Sequence, residues 1–155
     1  MMLRDVGLLL LRLGAGGILM AHGYPKLFGG PEKELPSAAA EVLGPNFPPA
    51  VKSGGPAAFA QNLAKMGVPE PEVAAVLSGL AEFGGGLALA LGLGTKLAGP
   101  AVAANMAVAA RTAHWSKGLY GQGGYEFPAL LGVVGASLAM TGPGALSLDH
   151  LFGFD

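Results

Sequence analysis

Apolar positions fall into four long runs, and the polar positions between them are too few for the alternation of core and surface that a water-soluble fold needs. The first run covers about residues 5–24 and includes "VGLLLLRLGAGGIL". The second, "VAAVLSGLAEFGGGLALALGLG" (73–94), holds one charge, Glu82. The third, "KLAGPAVAANMAVAARTAHW" (96–115), is Ala-rich and weakly apolar, with Pro100 in its first turns. The fourth, "FPALLGVVGASLAMTG" (127–142), is shorter, starts beside Pro128 and runs into a closing "GPG". A helix rises about 1.5 Å per residue, so roughly 20 residues cross the ~30 Å of hydrocarbon in a bilayer. The pattern predicts an all-α membrane protein, a four-transmembrane-helix bundle forming one domain over residues 1–155. A soluble helical bundle is the alternative, and four such runs in so short a chain tell against it.

Residues 27–72 form the one long connection, rich in proline (Pro31, Pro36, Pro45, Pro48, Pro49, Pro56, Pro69, Pro71). Inside it, "AAFAQNLAKMG" sets Phe59, Leu63 and Met66 at helical spacing on one side and Gln61 and Lys65 on another. That spacing predicts a short amphipathic helix lying on the membrane surface or capping the bundle. "SKGLYGQGGY" (116–125) reads as a Gly-rich turn. The glycines of "GAGG", "FGGG" and "GVVGAS" suit close helix approach, which in lipid replaces the hydrophobic drive for association. "GAGG" follows no strand, so it is no nucleotide loop.

Composition sharpens this. Charged residues make up 12% of the 155, about half the usual share. Net charge is −1, so no basic field recruits nucleic acid. Cysteine is absent, which removes disulfides, thiol catalysis and cysteine-held iron–sulfur clusters. The first 21 residues resemble a secretory leader, but Arg12 interrupts the apolar stretch and "LMAHG" is a poor cleavage site; a retained helix is the expectation. The lysines of the long connection are offset by Glu32, Glu34, Glu41, Glu70 and Glu72, so the positive-inside rule gives only a weak preference for orientation.

Charges inside apolar helices cost free energy and usually turn toward one another. Counted from alternating helix ends, Arg12, Glu82 and Asn105 fall at similar depths, roughly 14–15 Å inside. This predicts a buried polar cluster, with an Arg12–Glu82 ion pair and Asn105 hydrogen-bonded beside it. Such a cluster either locks the helices or carries protons. Nearer the face of the long connection, Arg12, His22 and Lys26 share one helical stripe about 80° wide. His114, Arg111, Trp115, Tyr24, Tyr125 and Glu126 come to the same face. Histidines titrate near neutrality and can hydrogen-bond a carbonyl or pass a proton, while Tyr24 and Trp115 equally suit an interfacial aromatic belt. Two histidines on separate helices fall short of the three or four ligands zinc takes, so no metal is expected. His150 lies in a polar tail, where solvent is its expected surrounding.

Taken in order, these segments resemble the DoxX family of small four-helix membrane proteins. "LRLGAGGILMAHGYPKLFG" is similar to its opening Arg, Gly and His-Gly-x-x-Lys pattern, and "EFGGGLALALGLGTKLAG" to its second helix. "ANMAVAARTAHWSKG", "GGYEFPALL" and "GPGALSLD" resemble its third and fourth. The longer Pro-rich connection departs from the pattern. The resemblance implies a multi-pass protein of the plasma (inner) membrane. It also implies either a subunit of a thiosulfate:quinone oxidoreductase or a member of a membrane complex acting in oxidative and thiol stress beside superoxide dismutase and a sulfurtransferase.

Three functions stay open on this reading. In a quinone-linked oxidoreductase component, the head group of ubiquinone or menaquinone sits at the outer cluster. His22, His114 and Glu126 serve as the catalytic set there, and Lys26, Arg111 and Trp115 as the binding set, so Glu126→Gln impairs turnover more than Glu82→Gln. In a non-catalytic scaffold, the long connection docks a soluble redox enzyme; a protein partner or homo-oligomer is expected in either case. A small solute carrier gated by Arg12 and Glu82 is the third, disfavoured by the lack of an inverted repeat.

Overall fold

The computed structural model describes residues 2–154, and helix is the only regular structure among them. The elements are α1 (Met2–Phe28), α2 (Ser37–Leu43), α3 (Phe47–Lys52), α4 (Pro56–Lys65), α5 (Pro71–Leu91), α6 (Thr95–Ala109), α7 (Glu126–Thr141) and α8 (Leu148–Phe152). A π-helical turn (Ala110–His114) and a short 3-10 turn (Trp115–Lys117) prolong α6. Of the expected long helices, the first is therefore longer at both ends, and the third changes helix type before it finishes. Pro100 falls inside α6, in its second turn.

The long connection is helical where a loop with one helix was expected. Proline explains the difference, because it favours the first turn of a helix, where its missing N–H costs nothing. Pro36 is the N-cap of α2, and α3 and α4 each carry proline at the first or second position. Leu63 and Ala60 of α4 are buried against Ala75 of α5, with Phe59 packed beside them. Met66 lies one residue past the end of α4 and is 41% exposed, off the expected apolar side.

Glycine sets the two helix seams. A Cβ on Gly16 would lie 2.5 Å from the carbonyl of Gly86, and one on Gly23 would strike the backbone of Phe83, so α1 and α5 approach backbone to backbone. Gly99 meets the carbonyl of Gly135 in the same way, joining α6 to α7. Ala15, Leu19, Leu89, Val102, Met106, Leu131 and Leu138 fill the space between the two pairs.

What faces outward completes the picture. Leu10, Leu77, Leu80, Leu97, Leu130, Val133 and Met140 are all more than half exposed, whereas Arg12 and Glu82 are buried. Large apolar side chains outside and charges inside invert the arrangement that water favours. Among the described residues, α1 and α5 are long and apolar enough to cross a membrane; α7 is apolar but shorter.

Candidate functional site

The α1–α5 register decides which charges meet. Gly23 packs on Phe83 and Gly79 on Leu27, so Glu82 is level with the end of α1, not with Arg12. Lys26 Nζ donates to Glu82 Oε1 at 2.5 Å, and the Asn105 amide donates to the same oxygen at 3.3 Å. Asn105 thus reaches Glu82 as expected, but the expected Arg12–Glu82 pair does not form. Lys26 also sits 4.7 Å from the centre of the Phe59 ring, in cation–π geometry. Glu82 Oε2 is buried and has no hydrogen-bond partner among the described residues.

Arg12 belongs to the opposite end of the bundle. Its guanidinium donates to the carbonyls of Pro143 (2.7 Å) and Leu146 (2.5 Å). Gly92 beside it, at φ +64°, could not carry a Cβ without meeting that guanidinium. Asp149 accepts the N–H groups of Gly94 (2.6 Å) and Thr95 (2.9 Å), and Asp5 accepts that of Ala145 at 3.1 Å. Together these bonds strap the segment after α7 onto α1 and the α5–α6 turn. Burial raises the Asp149 carboxyl, but the amide bonds from Thr95 and Gly94 outweigh it and hold the group below the usual carboxylate range. Asp5 and Asp149 were missed in the sequence because their partners are backbone amides, which no side-chain pattern reveals. His150, expected in solvent, is exposed on α8, and its N–H bonds the Ser147 cap.

The outer residues meet around one cavity of about 270 Å³. His22 and Lys26 come from α1, Glu82 from α5, His114 from the π turn, and Glu126 and Phe127 from the start of α7; Leu19, Met106 and Leu131 form the apolar inner wall. Gly121, Gly123 and Gly124 of the turn before α7 also line it. The π turn carries the backbone past the ordinary α position of His114, a distortion frequent at functional sites. His114 Nδ1 lies 2.7 Å from the Gly123 carbonyl oxygen. A carbonyl can only accept, so Nδ1 carries a proton, and whenever the ring is neutral Nε2 is left as an acceptor. The His22 ring lies 6.0 Å from that of Phe127.

Arg111 and Trp115 do not line the cavity. The Arg111 guanidinium stands 5.6 Å from the Trp115 ring, which stacks on Tyr125 at 4.9 Å, and Trp115 is half exposed. No group of three or more metal-ligating side chains occurs among the described residues.

An acceptor-rich polar mouth over an apolar wall can orient an amphiphilic ring and exchange protons with it. Comparison with curated proteins and with solved structures found no match. The family model for DoxX matches residues 7–115, well over half of the chain. That span includes Arg12, His22, Lys26, Glu82, Asn105 and His114, and the exposed apolar belt agrees with it: the chain is a membrane protein of the DoxX family.

Proposed function

We propose that this protein is the membrane component of a quinone-linked oxidoreductase, with the quinone head group held in the cavity between His22, Glu82, His114 and Glu126. One observation carries the reading: Glu82, a buried carboxylate with an unpaired oxygen, lines a cavity of about 270 Å³ whose inner wall is apolar. An apolar cavity of about 150 Å³ accepts benzene, so this volume fits one substituted ring but not a bulky cofactor. Such pockets, mostly apolar with a few convergent polar groups, are the usual form of a small-molecule site.

A bound quinone supplies a couple that takes up and gives back two electrons and two protons. The chain's own residues position it and handle the protons. His22 donates to a ring oxygen, His114 accepts from a ring hydroxyl of the reduced form, and Glu126, exposed at the mouth, exchanges protons with the aqueous face. Lys26 pairs with Glu82 in an apolar setting, and Asn105 fixes its orientation. Arg111 and Trp115 act at the rim. With no cysteine to pass electrons, the chain relies on a partner subunit to deliver them.

The same reading takes the bundle as four crossings of the plasma membrane. Residues 95–117 form a nearly continuous helical rod, about 30 Å or more at helical rise, enough to span.

Trp115 is the only tryptophan and adjoins His114, so its fluorescence reports on the site. Titrating purified protein in detergent with a short-chain benzoquinone should give saturable quenching, weakened several-fold in His22→Ala. Linear quenching, identical in both proteins, would mean partition into the micelle and would overturn the assignment.

A further inference from the structure

We infer that the cavity prefers the reduced, dihydroxy form of its aromatic ligand to the oxidised, dicarbonyl form. The inference rests on the quinone reading above and adds which redox form the site recognises. It comes from counting donors and acceptors around the cavity.

Glu82 Oε2 is buried and unpaired within the protein; an ion-paired carboxylate has lone pairs to offer and no proton to donate. His114 presents Nε2, because Nδ1 is engaged by the Gly123 carbonyl, and a neutral ring in that tautomer only accepts at Nε2. Glu126 adds a second carboxylate at the mouth. Against these three acceptors the lining offers two donor side chains. Lys26 gives one of its three hydrogens to Glu82 and faces the Phe59 ring; His22 is the other.

A carbonyl ligand brings only acceptors, so it would set lone pairs against lone pairs at Glu82 and His114. A ligand with two hydroxyl groups brings two donors and satisfies both. A buried acceptor left unsatisfied is costly, and sites built to pair with a hydroxyl discriminate strongly against ligands lacking it. The expected preference for the quinol is about tenfold or more, the ratio set by one such mispairing.

The test is anaerobic isothermal titration of the full chain in detergent with one short-chain benzoquinone and, separately, its chemically reduced quinol. The inference expects the quinol to bind at least about tenfold tighter, and the ratio to fall toward unity in Glu82→Gln, which places an amide donor where an acceptor stood. Glu126→Gln, altered at the exposed mouth where folding is not at risk, should shrink the ratio in the same direction and decides the matter if Glu82→Gln fails to fold. Equal affinities, or tighter quinone binding, would overturn the inference while leaving the quinone site standing. An unchanged ratio in both folded variants would overturn it as well. If neither form binds saturably, the quinone reading itself falls and takes this inference with it.

Discussion

Glu82 and Glu126 carry the same charge at the same cavity but in different surroundings, and that separates their phenotypes. Glu82 is 3% exposed and holds both Lys26 and Asn105. Removing its charge leaves a partly buried ammonium without its partner, at a cost of about 1–3 kcal/mol. Glu126 is exposed, so its loss removes a proton-exchanging group and little stability. Glu82→Gln should therefore lower both the unfolding temperature in detergent and ligand affinity, and Glu126→Gln affinity or turnover alone. Thermal unfolding beside a quinone titration checks both. At the other pole, the Asp149 carboxyl is held below its unfolded value of about 3.9 by two backbone amides despite its burial. Its stabilisation is fully present above that unfolded value and is lost as pH falls through the lower folded one. Asp149→Asn should reduce stability at neutral pH and flatten the further loss on acidification below about pH 4; an unchanged acid profile would show that the strap does not depend on it. The polar residues themselves were legible in the sequence, and the Asn105–Glu82 contact with them. The fate of Arg12 was not: its partners are carbonyls of an irregular segment more than a hundred residues away, and a carbonyl has no sequence signature.

Close seams and one distorted turn do most to shape the elements. Because a Cβ at Gly16 would press on the Gly86 carbonyl, Gly16→Val must push α1 from α5. Overpacking of this kind costs about 1–3 kcal/mol, and here it would also disturb the Lys26–Glu82 register, so a lowered unfolding temperature with weaker ligand binding is expected. The abundance of small residues announced close packing, but not which glycine faces which. Counting inward from assumed helix ends misplaced Glu82 because the first turns of α5 run past the end of α1, where Leu27 already meets Gly79, and pack on α4 instead. The π turn at Ala110–His114 was likewise invisible, since no residue type marks it. It contains one residue more than an α turn, so deleting Ala113 should restore α geometry and re-aim His114 within the turn. Circular dichroism should then be almost unchanged while ligand binding is lost; retained binding would show that the π turn does not aim His114.

For the molecule as a whole, the exposed apolar belt and the buried charges fit a lipid environment, and the four crossings proposed can be counted directly. The cysteine-free chain suits single-cysteine labelling from outside the membrane. Four crossings place residue 117 opposite residue 4, whereas crossing by α1 and α5 alone would put both on one side. The proline-rich connection shows how a composition typical of loops can encode helices: each proline that forbids a helix interior also favours a helix start. The cavity lies where α1, α5, the π turn and α7 converge, so the account stands or falls on whether a ring binds there. The most direct measurement is cross-linking of a photoreactive short-chain quinone to the purified protein, with the attachment sites mapped by mass spectrometry and competed by excess unlabelled quinone. Competed labelling is expected at residues 19–26 and 106–131, around His22, His114 and Glu126. Labelling that resists competition and spreads over the outward leucines of α1, α5 and α7 would contradict it.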